Sequence, residues 1–256
     1  MIFQIKKYLS FLLRSTNQHG VHSPFVFDFV TKCLYDKTKY DDYNTLTNYR
    51  NALLQDDFTL KITDFGSGSR VFKSNTRKVS DIAKHAGATY KRMILLYRVV
   101  KYFQPKEILE LGTSLGLSTI SLALAKNTRV TSLEGCPETS AKANHSLIAA
   151  GVENVSILKG DFTESIHKLL DKKFDLIYFD GNHSKDATLA YFEKLLPTAT
   201  NDSVWIFDDI YWSEDMQEAW KCIKSHHKVQ VTVDCFWLGF VFFRKEQREE
   251  HFAIRL

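Results

Sequence analysis

From Lys106 onward the sequence alternates with a regularity that few folds satisfy. Short apolar runs at Ile108–Leu111, Val130–Leu133, Val155–Leu158, Phe174–Phe179 and Ser203–Phe207 are separated by stretches of helical character near 118–126, 138–150, 163–171, 185–196 and 213–225. Runs such as LIYF (176–179) and VWIF (204–207) are apolar throughout, as strands covered by helices on both faces must be. Repetition of strand, helix and strand predicts right-handed crossovers and a parallel sheet. The end of the chain departs from this pattern. Val229–Cys235 and Leu238–Arg244 are two strand-like runs separated by a short break, so they are predicted to pair antiparallel. The expected fold is therefore α/β, with five parallel strands, a C-terminal antiparallel hairpin, and helices on both faces.

In such a sheet ligands bind outside the carboxyl ends of the strands, so the residues there carry the functional signal. The first unit, EILELGTSLGLSTIS at 107–121, reads as strand, glycine turn and helix start. Gly112 and Gly116 would let a ligand approach the backbone closely, and Ser114 and Ser118 add hydroxyls. The spacing from Glu110 is E-x-G-x-x-x-G, not the tighter G-x-G-x-x-G of dinucleotide enzymes. The second strand ends in Glu134, placed to accept from the two hydroxyls of a ribose. The third ends in Asp161 and Phe162, a carboxylate with an aromatic ring beside it. The fourth ends in Asp180, Asn182 and His183, and the fifth in Asp208 and Asp209. Each acid taken singly also suits a helix N-cap.

The glycine turn with Glu110, Glu134 and Asp161 in this order resembles the class I S-adenosylmethionine (SAM)-dependent methyltransferases. That resemblance implies a Rossmann-like sheet and SAM held by Glu110, Gly112, Ser114, Gly116, Ser118, Glu134, Asp161, Phe162 and Asp180. Within that class the chain is similar to the catechol and caffeoyl-coenzyme A O-methyltransferases. They hold Mg²⁺ with an Asp after the fourth strand and an Asp-Asn pair after the fifth. Asp180 and Asp208 match; Asp209 stands where that family has Asn. The resemblance thus implies Mg²⁺ or another divalent cation on Asp180, Asp208 and Asp209. It also sets His183 where catechol-type enzymes have a lysine base, with Asp180 beside it in the catalytic pair. Alternatively, His183 caps the helix beginning near Ser184.

Residues 1–80 lie outside this pattern and are expected to form a mostly helical cap, with 81–256 as the methyltransferase domain. Met1–Leu13 reads as an amphipathic helix lying on the domain or on a partner, its apolar run too short to span a bilayer. Ser23-Pro24 begins a helix over Phe25–Tyr35, and Lys37–Asp57 is expected to be loop with short helical pieces. His19 and His22 in HGVHSPF have no carboxylate or thiol at ligand spacing. ITDFGSGS at 62–69 resembles a second acid-and-glycine loop, but the polar RVFKSN after it favours a turn.

Four scattered cysteines without C-x-x-C suit a reducing cytoplasm, and a net charge of +4 falls short of a nucleic-acid signature. The resemblance to the catechol and caffeoyl-coenzyme A enzymes implies a methyl acceptor that is a small hydroxyl compound, aromatic ones included, with a homodimer compatible. A tRNA nucleoside hydroxyl, a metal-independent methyl transfer and a non-catalytic SAM-binding protein are the alternatives.

Overall fold

The computed structural model describes residues 2–63, 74–125 and 127–256. The turn expected within 62–69 lies, from residue 64 on, outside the described residues. Helix α1 (Ile2–Arg14) comes first. Helix α2 (Pro24–Phe29) begins where the Ser-Pro pair predicts, with the Ser23 hydroxyl accepting from the Val26 N–H at 3.4 Å, and runs on through a π-helical turn, Val30–Leu34. Helix α3 (Asp42–Leu54) occupies a segment expected to be mostly loop. Its sequence, DYNTLTNYRNALL, is rich in poor helix formers, but it buries Leu46, Tyr49 and Leu53 on one face. Burial of that face outweighs propensity here.

Strands β1 (Thr59–Lys61) and β2 (Thr76–Lys78) pair antiparallel, and helices α4 (Val79–His85) and α5 (Tyr90–Phe103) follow. The alternation then proceeds as read from the sequence. It comprises β3 (Glu107–Leu111), α6 (Leu117–Ala123), β4 (Arg129–Glu134), α7 (Pro137–Ala149), β5 (Val155–Lys159), α8 (Phe162–His167), β6 (Leu176–Phe179), α9 (Lys185–Leu195), β7 (Val204–Asp208) and α10 (Glu214–Lys224). Strands β8 (Val231–Asp234), β9 (Leu238–Phe242) and β10 (Glu250–Ala253) close the chain.

Two compact units make up the chain. In the unit of residues 37–167, β3, β4 and β5 lie side by side and parallel, with Ile108 opposite Val130 and Val130 opposite Val155. In the unit of residues 1–36 and 168–256, β6 and β7 are parallel, β9 pairs antiparallel with both β7 and β8, and β10 runs parallel to β8. The fold is thus α/β with mostly parallel strands and the expected antiparallel hairpin. The tenth strand was not expected, since EHFA is short and half polar. Residues 1–36 belong to one of these units and 37–80 to the other.

The cores differ in kind. That of the 168–256 unit is aromatic: Phe179 stacks on Phe207 at 4.2 Å, and Phe29 meets Phe240 and Phe242 edge-on. Gly239 is required there, because a Cβ would meet the Trp220 ring at 2.6 Å. Segment 1–36 is tied in by Thr16, which pairs with Ile254, and by an ion pair of 2.7 Å between Arg14 and Asp234. The 37–167 unit is built from aliphatic side chains on β3, α5 and α6, such as Leu96, Val100, Ile108, Leu109 and Ile120. All four cysteines are free, and among the described residues no helix is long and apolar enough to cross a membrane.

Candidate active site

The loop after β3 is bent by three residues with positive φ, Gly112 (106°), Ser114 (48°) and Gly116 (79°). Gly112 and Thr113 both donate their N–H to the Leu133 carbonyl, which pins the loop beside β4. Gly116 has a second reason to lack a side chain: a Cβ there would meet the Tyr49 hydroxyl of α3 at 2.6 Å. That hydroxyl donates to the Leu115 carbonyl at 2.8 Å, so α3 supports the loop from behind. The requirement expected from ligand approach is met at Gly116 by a protein contact.

Glu110 is fully buried. Its Oε2 accepts from the hydroxyls of Thr119 and Ser132, each at 2.5 Å, while Oε1 is buried with no hydrogen-bond partner. Burial pushes its carboxyl up to about 7, the two hydroxyls oppose that shift, and the charge of Glu134 adds to it. A buried carboxyl with one open oxygen beside a second carboxylate attracts a cationic group. Glu134 accepts from the Ser114 N–H on Oε2 (2.7 Å) and from the Cys136 N–H on Oε1 (2.8 Å). It thus ties the loop after β3 to the turn after β4, and each oxygen retains a lone pair for a further donor. Gly160 donates to the Glu134 carbonyl, which brings the end of β5 alongside. There Asp161 is exposed and caps α8 through Oδ1, accepting from Thr163 and Glu164, while Phe162 is half-buried in the first turn. Ser118 is buried in α6. Thr119, Ser132 and Tyr49 were not singled out from sequence. The parallel register that sets Glu110 opposite Ser132 is the signal that finds the second of them.

The acids of β6 and β7 are held differently. Asp208 is buried, with Oδ2 accepting from the Tyr178 hydroxyl at 2.6 Å and Oδ1 from the Asp209 N–H at 2.8 Å. Asp209 is at φ 51° and also donates its N–H to the Trp237 carbonyl. Asp180 is half-buried, and its Oδ1 lies 3.8 Å from Nε2 of His183. The cap of α9 is Ser184, whose hydroxyl accepts from the Ala187 N–H, so His183 is not spent on capping. Among the described residues no three His, Cys, Asp or Glu side chains are gathered as a metal-ion group. Tyr211 stacks on Phe236 at 5.0 Å and donates to Asp234, so it belongs to the packing.

A family model described as a methyltransferase domain matches residues 109–210, from within β3 to just past β7. The chain carries a methyltransferase domain. Three solved structures resemble it over most of its length. The SAH-bound methyltransferase PaMTH1 of Podospora anserina is 15% identical with a TM-score of 0.61, covering 88% of this chain and 97% of that one. Cofactor-bound Rv0187 from MTB is 18% identical at a TM-score of 0.57, covering 88% and 99%. The O-methyltransferase of Bacillus cereus in complex with SAH is 19% identical at 0.53, covering 83% and 98%. At these identities the likeness is one of fold. No curated protein sequence matches the chain. The methyltransferase domain so defined contains every sequence-predicted site residue from Glu110 to Asp209.

Proposed function

We propose that the protein is a SAM-dependent O-methyltransferase that acts on the hydroxyl of a small acceptor. The observation that carries this reading is the pair of carboxylates at the glycine loop, Glu110 with a buried open oxygen and Glu134 bridging the loop to the next turn. An α-amino acid nucleoside fits such a pair. Its ammonium is the cation that Oε1 of Glu110 lacks, and its ribose hydroxyls are donors for Glu134. Asp161 keeps its second oxygen for the exocyclic amine of an adenine, with Phe162 beside it. Two of the solved structures named above are SAH-bound, which supports the same ligand here.

When bound, SAM supplies a methyl group on a positively charged sulfur. What the chain adds is proton handling and orientation. His183 accepts the proton of the acceptor hydroxyl, and the carboxylate of Asp180 stabilises the imidazolium that results. The bond formed is carbon to acceptor oxygen, and the bond broken is carbon to sulfur, whose electron pair stays on sulfur. Were a divalent cation bound, Asp180, Asp208 and Asp209 would hold it, and it would favour the oxyanion of the acceptor hydroxyl. The histidine placed to act as general base and the O-methyltransferase among the structural relatives support an O-acceptor.

Calorimetric titration with S-adenosylhomocysteine tests the cofactor half, and absence of binding would overturn it. A turnover screen with labelled SAM on catechols and phenols, run with and without chelator, tests the rest. Turnover that survives excess chelator is expected. Turnover that vanishes and returns with added Mg²⁺ would restore the metal-assisted reading, with Asp180, Asp208 and Asp209 as ligands.

A further inference from the structure

Unlike Glu134 and Asp161, Glu110 is enclosed completely, and its surroundings support an anion poorly. Its donors are two neutral hydroxyls, Thr119 on α6 and Ser132 on β4, and both reach the same oxygen. Ser132 is itself buried. Once it has given its proton to Glu110, it accepts from the Thr113 hydroxyl of the glycine loop at 2.5 Å. The charged and titratable groups around the carboxyl add to the difficulty. Among the described residues these are the Glu134 carboxylate at the end of β4 and the Tyr49 phenol of α3, and no Lys, Arg or His acts on it. Removal from water, a like charge nearby and an oxygen without a donor all favour the neutral acid. With its carboxyl pushed up to about 7, the free protein holds this proton at and below neutral pH.

An ammonium group changes that balance. A neutral carboxyl offers it a weak acceptor, whereas a carboxylate offers a charge-assisted bond in a site without water. The exchange is simple: a carboxylic acid and an ammonium become a carboxylate–ammonium pair, and one proton passes to the solvent. Resting on the cofactor reading given above, we propose that Glu110 takes the cofactor by proton exchange, holding a proton in the free protein and releasing it as the ammonium enters. Ser132 and Thr119 are then positioning residues: by donating to the anion they set the pH at which the exchange occurs. Below neutral pH the ligand must displace a bound proton, so its affinity falls as pH falls. Above neutral pH the proton is already gone and the affinity levels off.

The test is calorimetric titration of the full chain with S-adenosylhomocysteine, in buffers of different ionisation enthalpy so that protons released are counted. Kd is expected to be on the order of tenfold higher at about pH 6 than at about pH 7.5, with about one proton released per ligand at the lower pH. Glu110→Gln should bind more weakly, release no proton and respond little to pH. Ser132→Ala removes a donor to the anion, so the midpoint of the fall in affinity should move upward by about one pH unit. Were Ser132 merely structural, its loss would weaken binding equally at every pH, and that result would overturn its role. Affinity independent of pH with no proton released would overturn the proton exchange and leave the cofactor reading standing. Absence of binding at every pH would overturn both. Proton release that persists in Glu110→Gln would place the proton on another group and end the assignment.

Discussion

The two units end their strands in the same residue type and use it in opposite ways. In residues 37–167, Glu110 has one oxygen satisfied by hydroxyls and the other left open, and Glu134 holds two backbone N–H groups while retaining lone pairs. In residues 168–256, Asp208 is enclosed as a strut between Tyr178 and the backbone of Asp209. An acid at a strand end is therefore not yet a ligand. What separates a binding carboxylate from a structural one is how many of its lone pairs the fold consumes, and whether burial has left it in need of a partner.

That contrast can be broken most forcefully at His183. If it is the base, His183→Ala lowers kcat by on the order of a hundredfold and removes a limb of the pH–rate profile; an unchanged profile would return it to the structural side with Asp208. The next largest effect is at Glu110. Its folded-state carboxyl titrates at about 7, above the ordinary 4.5, so the folded chain holds a proton that the unfolded chain releases. Stability from this group is full below the ordinary value and is lost as pH rises through about 7. The loss amounts to about 3 kcal/mol, and less if the buried site relaxes. Urea denaturation of the ligand-free protein should show that decline, and Glu110→Gln should flatten it.

Asp208→Ala leaves the Tyr178 hydroxyl buried without its acceptor. It should cost about 1–3 kcal/mol of stability while S-adenosylhomocysteine affinity, measured by calorimetry, stays where it was. Glu134→Ala should do the reverse, weakening that affinity by roughly tenfold with a smaller change in the urea midpoint. Should the two variants exchange these outcomes, the division between spent and available acids would be reversed.

Much of the fold was legible because buried parallel strands write themselves as uniform apolar runs, as LIYF and VWIF do. The misses have physical causes. Helix α3 reads as polar because Asn, Asp and Thr are frequent in it, and burial of Leu46, Tyr49 and Leu53 at i, i+3, i+7 stabilises it. Strand β10 is half polar because it borders β8 alone. At the site, the loop and Glu134 follow from spacing, whereas the hydroxyls on Glu110 depend on register and on a helical turn beyond the motif. The fate of Asp208 depends on Tyr178, which in sequence is merely one more apolar-strand residue. Capping by Ser184 could be read from Ser-Lys-Asp at the start of α9, and it frees the histidine next to it.

The contact between Tyr49 and Gly116 has a consequence for how this chain can vary. The two positions lie 67 residues apart, yet the phenol occupies the space where a side chain at 116 would begin. Neither is free to change first. A residue larger than glycine at 116 meets the tyrosine and a left-handed backbone together. A smaller residue at 49 removes the hydroxyl that fixes Leu115. In descendants of this sequence the pair should therefore be inherited as one character, retained together or replaced together.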